Sequence, residues 1–482
     1  MKKKPGFVLA IIPIVALLLL LGIGYGLFHL RAEPLLIIAA TIAAVIGKSL
    51  GVSWEEMQNG IVETTAKSMS AILILITVGV LIGTWMVAGT IPMMIFYGIK
   101  LIDPNYLLIT AFFVAAIVST FTGTSWGSAG TIGVAVMGIA LVQGVSLPMT
   151  AGAVVAGAYF GDKLSPLSDT TNLAPAAAGS KLYEHIKHML YTTIPAAIIG
   201  LIVYFIAGKM TTITSGDNQE ALNEMTSTLV AMYDWNLLLI VPILIVLAGS
   251  ILKYPTIPVM LASSTIAIIL GVTFQGVSIA NAFLSTVSGF DVSMMSGTVD
   301  AAKVPEDVSN LLNRGGMTSM MGTTLIAFCS FAFAGIISKI GCLDVVLEKV
   351  NEKAQSTGSL ILATVLSCIT IAITTGSSYL SILIPGELFR NVYAERGLHP
   401  KNLSRTLEDS GTVVVPIVPW SLAGVYMSST LGVPVIEFLP WAVMCYVGFI
   451  FAIIYGYTGF SIEKIKPSAE VDSSKDDFQY KF

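Results

Sequence analysis

The segment Gly161-Asp-Lys-Leu-Ser-Pro-Leu-Ser-Asp-Thr-Thr-Asn172 crowds charged, hydroxyl, amide and helix-breaking residues into the middle of an apolar stretch, 148–176. An apolar run of about 20 residues is what a helix needs to cross the hydrocarbon of a bilayer. Polar side chains inside such a run are costly, and ionisable ones mark function by default. Gly161 and Pro166 are expected to interrupt the helix. An interruption frees carbonyls and leaves half-helix ends facing the gap. Further along, Glu408-Asp-Ser-Gly-Thr-Val-Val-Val-Pro-Ile-Val-Pro-Trp-Ser421 repeats that logic, with Gly411, Pro416 and Pro419 as breakers.

The rest of the chain explains why these segments sit in lipid. Of 482 residues, 55% are apolar and 11% charged, and the mean hydropathy is +0.84. Soluble domains carry about 25% charged residues. The apolar runs are continuous, not alternating, so helices are expected and a barrel is not. The reading is an all-α membrane protein of about ten transmembrane helices plus two re-entrant hairpins. Spans are expected at 7–29, 34–48, 67–91, 148–176 and 192–208, then at 236–251, 257–273, 316–338, 406–429 and 438–457. The N-terminal Lys2-Lys3-Lys4 and its long apolar run read as the first span, not a cleaved signal. A net charge of −4 gives no footprint for nucleic acid. Cys329, Cys342, Cys368 and Cys445 lack metal-ligand spacing and are expected to be reduced.

Two halves of the chain resemble each other, in order. Ile12-Pro13-Ile14-Val15 matches Val241-Pro242-Ile243-Leu244, and Gly51-Val52-Ser53 matches Gly276-Val277-Ser278. Thr122-Gly123-Thr124-Ser125-Trp126 matches Thr375-Gly376-Ser377-Ser378-Tyr379, and Pro166-Leu167-Ser168 matches Pro419-Trp420-Ser421. Internal repeats of this kind are typical of secondary transporters.

Charge orients the halves. The apolar stretch 359–389 is flanked by Lys339, Lys349 and Lys353 before and by Arg390, Arg396, Lys401 and Arg405 after. Basic flanks are cytoplasmic, so the stretch returns to its own side with Thr-Gly-x-Ser at its tip. The matching stretch 105–138 then enters from outside. Five crossings and one hairpin per half invert the second half. The expected parts are a first repeat at 1–209, an extracellular linker at 210–234, an inverted repeat at 235–460 and a charged cytoplasmic tail at 461–482, with both termini inside.

Candidate site residues cluster at the breaks and tips. Asp162, Ser168, Asp169, Thr171 and Asn172, with Thr122 and Ser125 from the first tip, offer the hard oxygen ligands that suit Na+. Lys163, Thr124, Thr375, Ser377, Ser378, Glu408, Asp409 and Ser421 are the coupling candidates. The blander readings stand beside these. Single Ser or Thr residues in membrane helices commonly only bond their own backbone. For one of Asp162 and Asp169 the alternative to a site role is a buried charge neutralised by Lys163, which cannot pair both, and Glu387 reads as an acid at the membrane surface. Trp126, Trp420 and Tyr379 read as packing, and His185 and His188 as part of a basic loop.

At Gly123-Thr-Ser-Trp-Gly-Ser-Ala-Gly-Thr131 and Gly161-Asp-Lys-Leu-Ser-Pro-Leu-Ser-Asp-Thr-Thr-Asn-Leu-Ala174 the chain resembles the NhaC family of sodium–proton antiporters. That resemblance implies paired inverted repeats, a scaffold and a mobile transport domain working as an elevator, and a homodimer. It implies Na+ and H+ as partners and no cofactor beyond the transported ion. The family also includes members that exchange malate for lactate, so a sodium-coupled organic anion exchanger is the alternative. A channel would need a continuous polar path, and an enzyme a nucleophile–base pair or metal set; neither pattern is present in the sequence.

Overall fold

The computed structural model describes residues 4–210, 217–295, 304–352 and 354–465. Residues 211–216 of the expected linker and 466–482 of the expected tail lie outside the described residues. Among those described, the chain is helical throughout, and the single β pairing is a bridge between Leu398 and Lys464. In chain order the helices are α1 Phe7–Tyr25, α2 Ala32–Ser49, α3 Trp54–Ala88, α4 Thr90–Leu101, α5 Pro104–Thr122 and α6 Ser125–Gln143. Next come α7 Leu147–Leu164, α8 Asp169–Ala178, α9 Leu182–Met210, α10 Asp217–Met232, α11 Leu237–Ile251, α12 Thr256–Thr273, α13 Ile279–Ser288 and α14 Glu306–Leu312. The chain closes with α15 Met317–Ile340, α16 Cys342–Glu352, α17 Thr357–Thr375, α18 Ser378–Glu395, α19 Pro400–Ile417, α20 Leu422–Leu431, α21 Val435–Trp441 and α22 Met444–Thr458. Nine helices among the described residues are long and apolar enough to cross a membrane, or up to twelve if each sharply bent pair is one span.

The boundaries follow from local chemistry. Span 67–91 in fact starts at Trp54, because Ser53 and Glu56 close a capping box there. The expected linker 210–234 contains α10, so it is not an open loop. The expected single span 148–176 is two helices, interrupted at Ser165–Ser168. Gly161 does not break it. Its missing side chain lets α7 lie against α5, where a Cβ would come within 2.2 Å of the Ala116 carbonyl oxygen. The break belongs to Pro166 alone. In α19 all three expected breakers act: a π-turn runs through Gly411, a 3-10 turn through Pro416, and the chain extends at Val418 before Pro419.

Each expected hairpin is a helix, a two-residue break and a second helix. Gly123 and Gly376 end the first arms in left-handed conformation, φ 66° and 64°, which only glycine adopts cheaply. Thr124 and Ser377 then cap the second arms, accepting from the Gly127 and Leu380 amides.

Packing joins distant segments. α3 lies against α12, α13 and α15, and α2 against α15. α5 packs on α7, α17 on α22, and α8 on both α18 and α19. The residues after α22 are strapped back. His399 N–H donates to Glu463 O at 2.9 Å, Ile465 N–H to Gly397 O at 2.8 Å, and Arg405 Nη1 to Ser461 Oγ at 2.6 Å. All four cysteines are free and buried.

Candidate functional site

Each hairpin tip is pressed into a helix break of its own half. At the first, a Cβ on Gly123 would lie 2.6 Å from Leu167 Cβ. At the second, Leu422 N–H donates to Gly376 O at 3.2 Å, and a Cβ on Gly376 would lie 3.1 Å from Ser421 Cα. The same small-residue tip thus meets the same kind of break twice.

The first break is held mainly by its own side chains. Ser125 Oγ, at the first turn of α6, donates to Asp162 Oδ2 at 2.8 Å, while Asp162 Oδ1 has no partner among the described residues. Thr171 donates to the freed carbonyls of Asp162 and Lys163, and Asn172 to those of Pro166 and Ser168. Ser168 caps α8 through the Thr171 amide and touches Thr170 Oγ1 at 3.2 Å. Thr171 and Asn172 are therefore spent on the scaffold of the break.

Lys163 projects from α7 the other way. It is 1% exposed and forms a hydrogen-bonded ion pair with Asp409 of the π-turn, itself 0% exposed. The alternative in which Lys163 neutralises Asp162 or Asp169 does not hold, since its partner is Asp409 and the next residue on a helix points about 100° away. Thr192 of α9 donates to the same Asp409 oxygen at 3.1 Å. Glu408, beside it, is fully buried, and among the described residues neither carboxylate oxygen has a hydrogen-bond partner. Lys163, Thr412, Asp162 and Thr170 are the groups in its electrostatic reach. The Thr412 hydroxyl is likewise buried and unpartnered.

Other candidates fall elsewhere. Asp169 is exposed at the start of α8, where Tyr379 OH reaches Oδ2 at 3.2 Å. Glu387 is exposed. Thr122 makes only long contacts, the nearest to Ser128 at 3.4 Å, and Thr375 bonds back to Ile371 O. Ser377 caps α18, Ser378 is half-buried beside it, and Ser421 caps α20 while donating to Val415 O. Trp126 stacks on Tyr426 at 4.4 Å, and Trp420 donates to Ile373 O.

His185 and His188 do not lie in a basic loop. The turn after α8 spans only 179–181, so α9 starts early and buries both rings. His185 Nδ1 meets Ser404 Oγ at 2.9 Å, and His188 lies between the Lys401 and Ser461 carbonyls. Arg405, read from sequence as a cytoplasmic flank, is 0% exposed. Thr192 escaped the sequence reading, and Thr412 and Arg405 were not singled out as site residues. A hydroxyl or guanidinium near an apolar run was the available signal, but single such residues are too common to stand out.

Among the described residues no group of three His, Cys, Asp or Glu side chains is arranged to hold a metal. The oxygens gathered here are hydroxyls, carbonyls and single carboxylates, donors that suit a hard cation better than a soft one.

Fold and site together define the class: a multi-pass helical membrane protein whose buried charges meet at two broken helices. Within that class the chain belongs to the Na+/H+ antiporter family, whose profile matches residues 157–460. It is 53% identical to an uncharacterized Na(+)/H(+) antiporter of Haemophilus influenzae over 464 residues, 96% of this chain and 98% of that one. It is 38% identical to the Na(+)/H(+) antiporter NhaC of Alkalihalophilus pseudofirmus over 470 residues, 96% and 98% of the two chains. It is also 34% identical to a malate-2H(+)/Na(+)-lactate antiporter of Bacillus subtilis over 452 residues, 93% and 94%. The resemblance to the NhaC family read from the two motifs is borne out.

Proposed function

We propose that this chain is a secondary antiporter exchanging Na+ for H+, with Asp162 and Glu408 as the carboxylates the two ions share. One observation carries the reading. Apart from Glu33, which is tied to Arg31 at a helix start, the buried charged side chains among the described residues are three acids, Asp162, Glu408 and Asp409, against two cations, Lys163 and Arg405. Burying an unpaired charge costs several kcal/mol or more, on the order of the whole stability of a domain. One further positive charge balances the cluster, and a proton or a sodium ion supplies it equally. Binding of one therefore expels the other, by reciprocal linkage.

The sign follows directly. Raising the pH removes the competing proton, so apparent Na+ affinity strengthens and then levels off once the carboxylate is ionised. Proteoliposomes with a proton-sensitive dye inside test this. Sodium addition is expected to drive proton movement, with a half-saturating Na+ concentration that falls as pH rises. A half-saturating concentration flat from about pH 5 to about pH 9 overturns the shared-site reading.

The repeated tip-and-break arrangement supports two inverted repeats, 1–209 and 235–460, around a linker at 210–234. Both termini are placed in the cytoplasm, the hairpins re-enter rather than cross, and one body moves as an elevator against a scaffold in a homodimer. Cysteines at Glu220 and Glu395 are expected to react with impermeant reagents from outside and inside respectively; reaction from one side rejects the inversion. Exchange of organic anions coupled to Na+ and H+ is the second reading, favoured by the similarity to the malate-2H(+)/Na(+)-lactate antiporter. Uptake of labelled malate against lactate separates the two.

A further inference from the structure

A cavity of about 410 Å³ opens at the end of the bundle where α13, α15 and α20 meet the chain before α15. Its lining includes Arg314 and no aspartate or glutamate. The arginine is half-buried, and among the described residues its guanidinium has neither an ion-pair partner nor a hydrogen-bond acceptor. The guanidinium lies beside Gly432, the left-handed end of α20, with Nη1 3.6 Å from where a Cβ would stand, an ordinary contact.

This position is built, not incidental. Arg314 O accepts from Phe290 N–H at 3.0 Å, and Asn313 Oδ1 from Val292 N–H at 2.9 Å. Two residues on, Gly316 N–H donates to Gly79 O of α3 at 2.7 Å, so the turn is fastened to the longest helix. Most hydroxyls on the cavity wall are engaged: Ser288, Thr318 and Ser319 bond to backbone carbonyls, and Ser429 pairs with Thr323. Thr430 is different. It is 4% exposed and lines the cavity, and among the described residues its hydroxyl makes no hydrogen bond of normal geometry, with the Tyr426 hydroxyl in its electrostatic reach.

We infer that this cavity binds a small carboxylate anion, its two oxygens on the Arg314 guanidinium fork and one of them reached by the Thr430 hydroxyl. A guanidinium presents paired donors that match a carboxylate in plane. A cation is excluded by the same arginine and by the lack of acids. Ile82, Val134 and Met320 in the wall suit the short carbon skeleton of such an anion, and the volume falls in the range of about 300–1,000 Å³ of small-molecule sites. Half-burial with no acid in the cavity wall leaves the guanidinium charge uncompensated there, which an anion offsets. The site is separate from the Asp162–Glu408 cluster and does not rest on cation exchange.

Isothermal titration of the detergent-purified full chain with L-lactate, succinate and sulfate tests it, at fixed Na+ and pH. At least one carboxylate is expected to bind, with sulfate at least tenfold weaker. Arg314→Gln is expected to weaken carboxylate binding at least tenfold, and Thr430→Val several-fold, since the valine keeps the shape and removes only the hydroxyl. Asp162→Asn is expected to lose Na+-dependent thermal stabilisation and keep carboxylate binding, so failure of one site is told apart from failure of the other. No carboxylate binding to the parent chain, sulfate bound as tightly, or unchanged affinity in Thr430→Val and in Arg314→Gln overturns the assignment. If Arg314→Gln does not fold, Arg314→Lys takes its place, with the charge kept and the fork lost; unchanged affinity there likewise overturns it.

Discussion

At the first helix break the freed groups are spoken for. Thr171 and Asn172 take up four carbonyls between Asp162 and Ser168, and Asp162 receives the Ser125 hydroxyl. At the second break Ser421 and Ser381 satisfy the Val415 and Gly411 carbonyls, but among the described residues both Glu408 oxygens and the Thr412 hydroxyl make no hydrogen bond. Both breaks are pressed by a Thr-Gly-x-Ser tip, yet among the described residues the first leaves only Asp162 Oδ1 without a partner, whereas the second leaves both Glu408 oxygens and the Thr412 hydroxyl. Satisfied buried networks rigidify, whereas unsatisfied groups await something. In the proposed exchange the first break contributes the one free oxygen of Asp162 on an otherwise fixed frame, and the second contributes Glu408 with no fixed partner. Lys163 joins them, leaving the first break to neutralise an acid of the second.

The sharpest way to break this contrast is Glu408→Gln. The amide keeps the volume and carries no exchangeable proton, so Na+-driven proton movement in proteoliposomes is expected to fall to background while the protein remains folded. Its thermal stability is expected to stay level or rise, because no ionisable group is left unpaired. Wild-type exchange in that variant returns the coupling to the first break.

Next in size is the bridge. Asp409→Asn leaves Lys163 buried without its counterion, and breaking a buried pair costs about 3–5 kcal/mol. A large fall in the unfolding midpoint of the detergent-purified protein is expected. Replacing both partners, Lys163→Met with Asp409→Leu, is expected to recover much of that stability and none of the transport. A double variant no more stable than the single one shows that the pair does more than cancel charge.

Ser125→Ala sharpens the role of the first break. A hydrogen bond to a charged group is worth about 1.5–3 kcal/mol. Half-saturation by Na+ is therefore expected to need roughly tenfold more ion, with maximal exchange rate largely kept. A lost maximal rate at unchanged affinity places Ser125 in the motion instead. The smallest effect is expected for Asp169→Asn. Its side chain is exposed and meets only Tyr379 OH, so stability should stay within about 0.5 kcal/mol and exchange close to the parent rate. Loss of exchange in that variant returns Asp169 to the site.

The sequence by itself determined a good deal here. Apolar runs of the right length told helices and lipid from composition alone, because the bilayer leaves the backbone no other way to bond. Pro166, Pro416 and Pro419 marked the broken spans, since proline removes a donor wherever it falls. The duplicated Thr-Gly-x-Ser marked the tips, where glycine must turn left-handed. Which acid stands alone was decided only by tertiary structure. Asp162, Asp169, Glu408 and Asp409 are equivalent on paper. Lys163 reaches Asp409, 246 positions along the chain, because α7 and the π-turn of α19 are brought together by packing. Asp169 is turned outward by the cap that starts α8. Gly161, read as a breaker, is a packing residue because α5 lies against it. Burial and pairing are properties of what lies opposite a residue, and sequence order does not carry that.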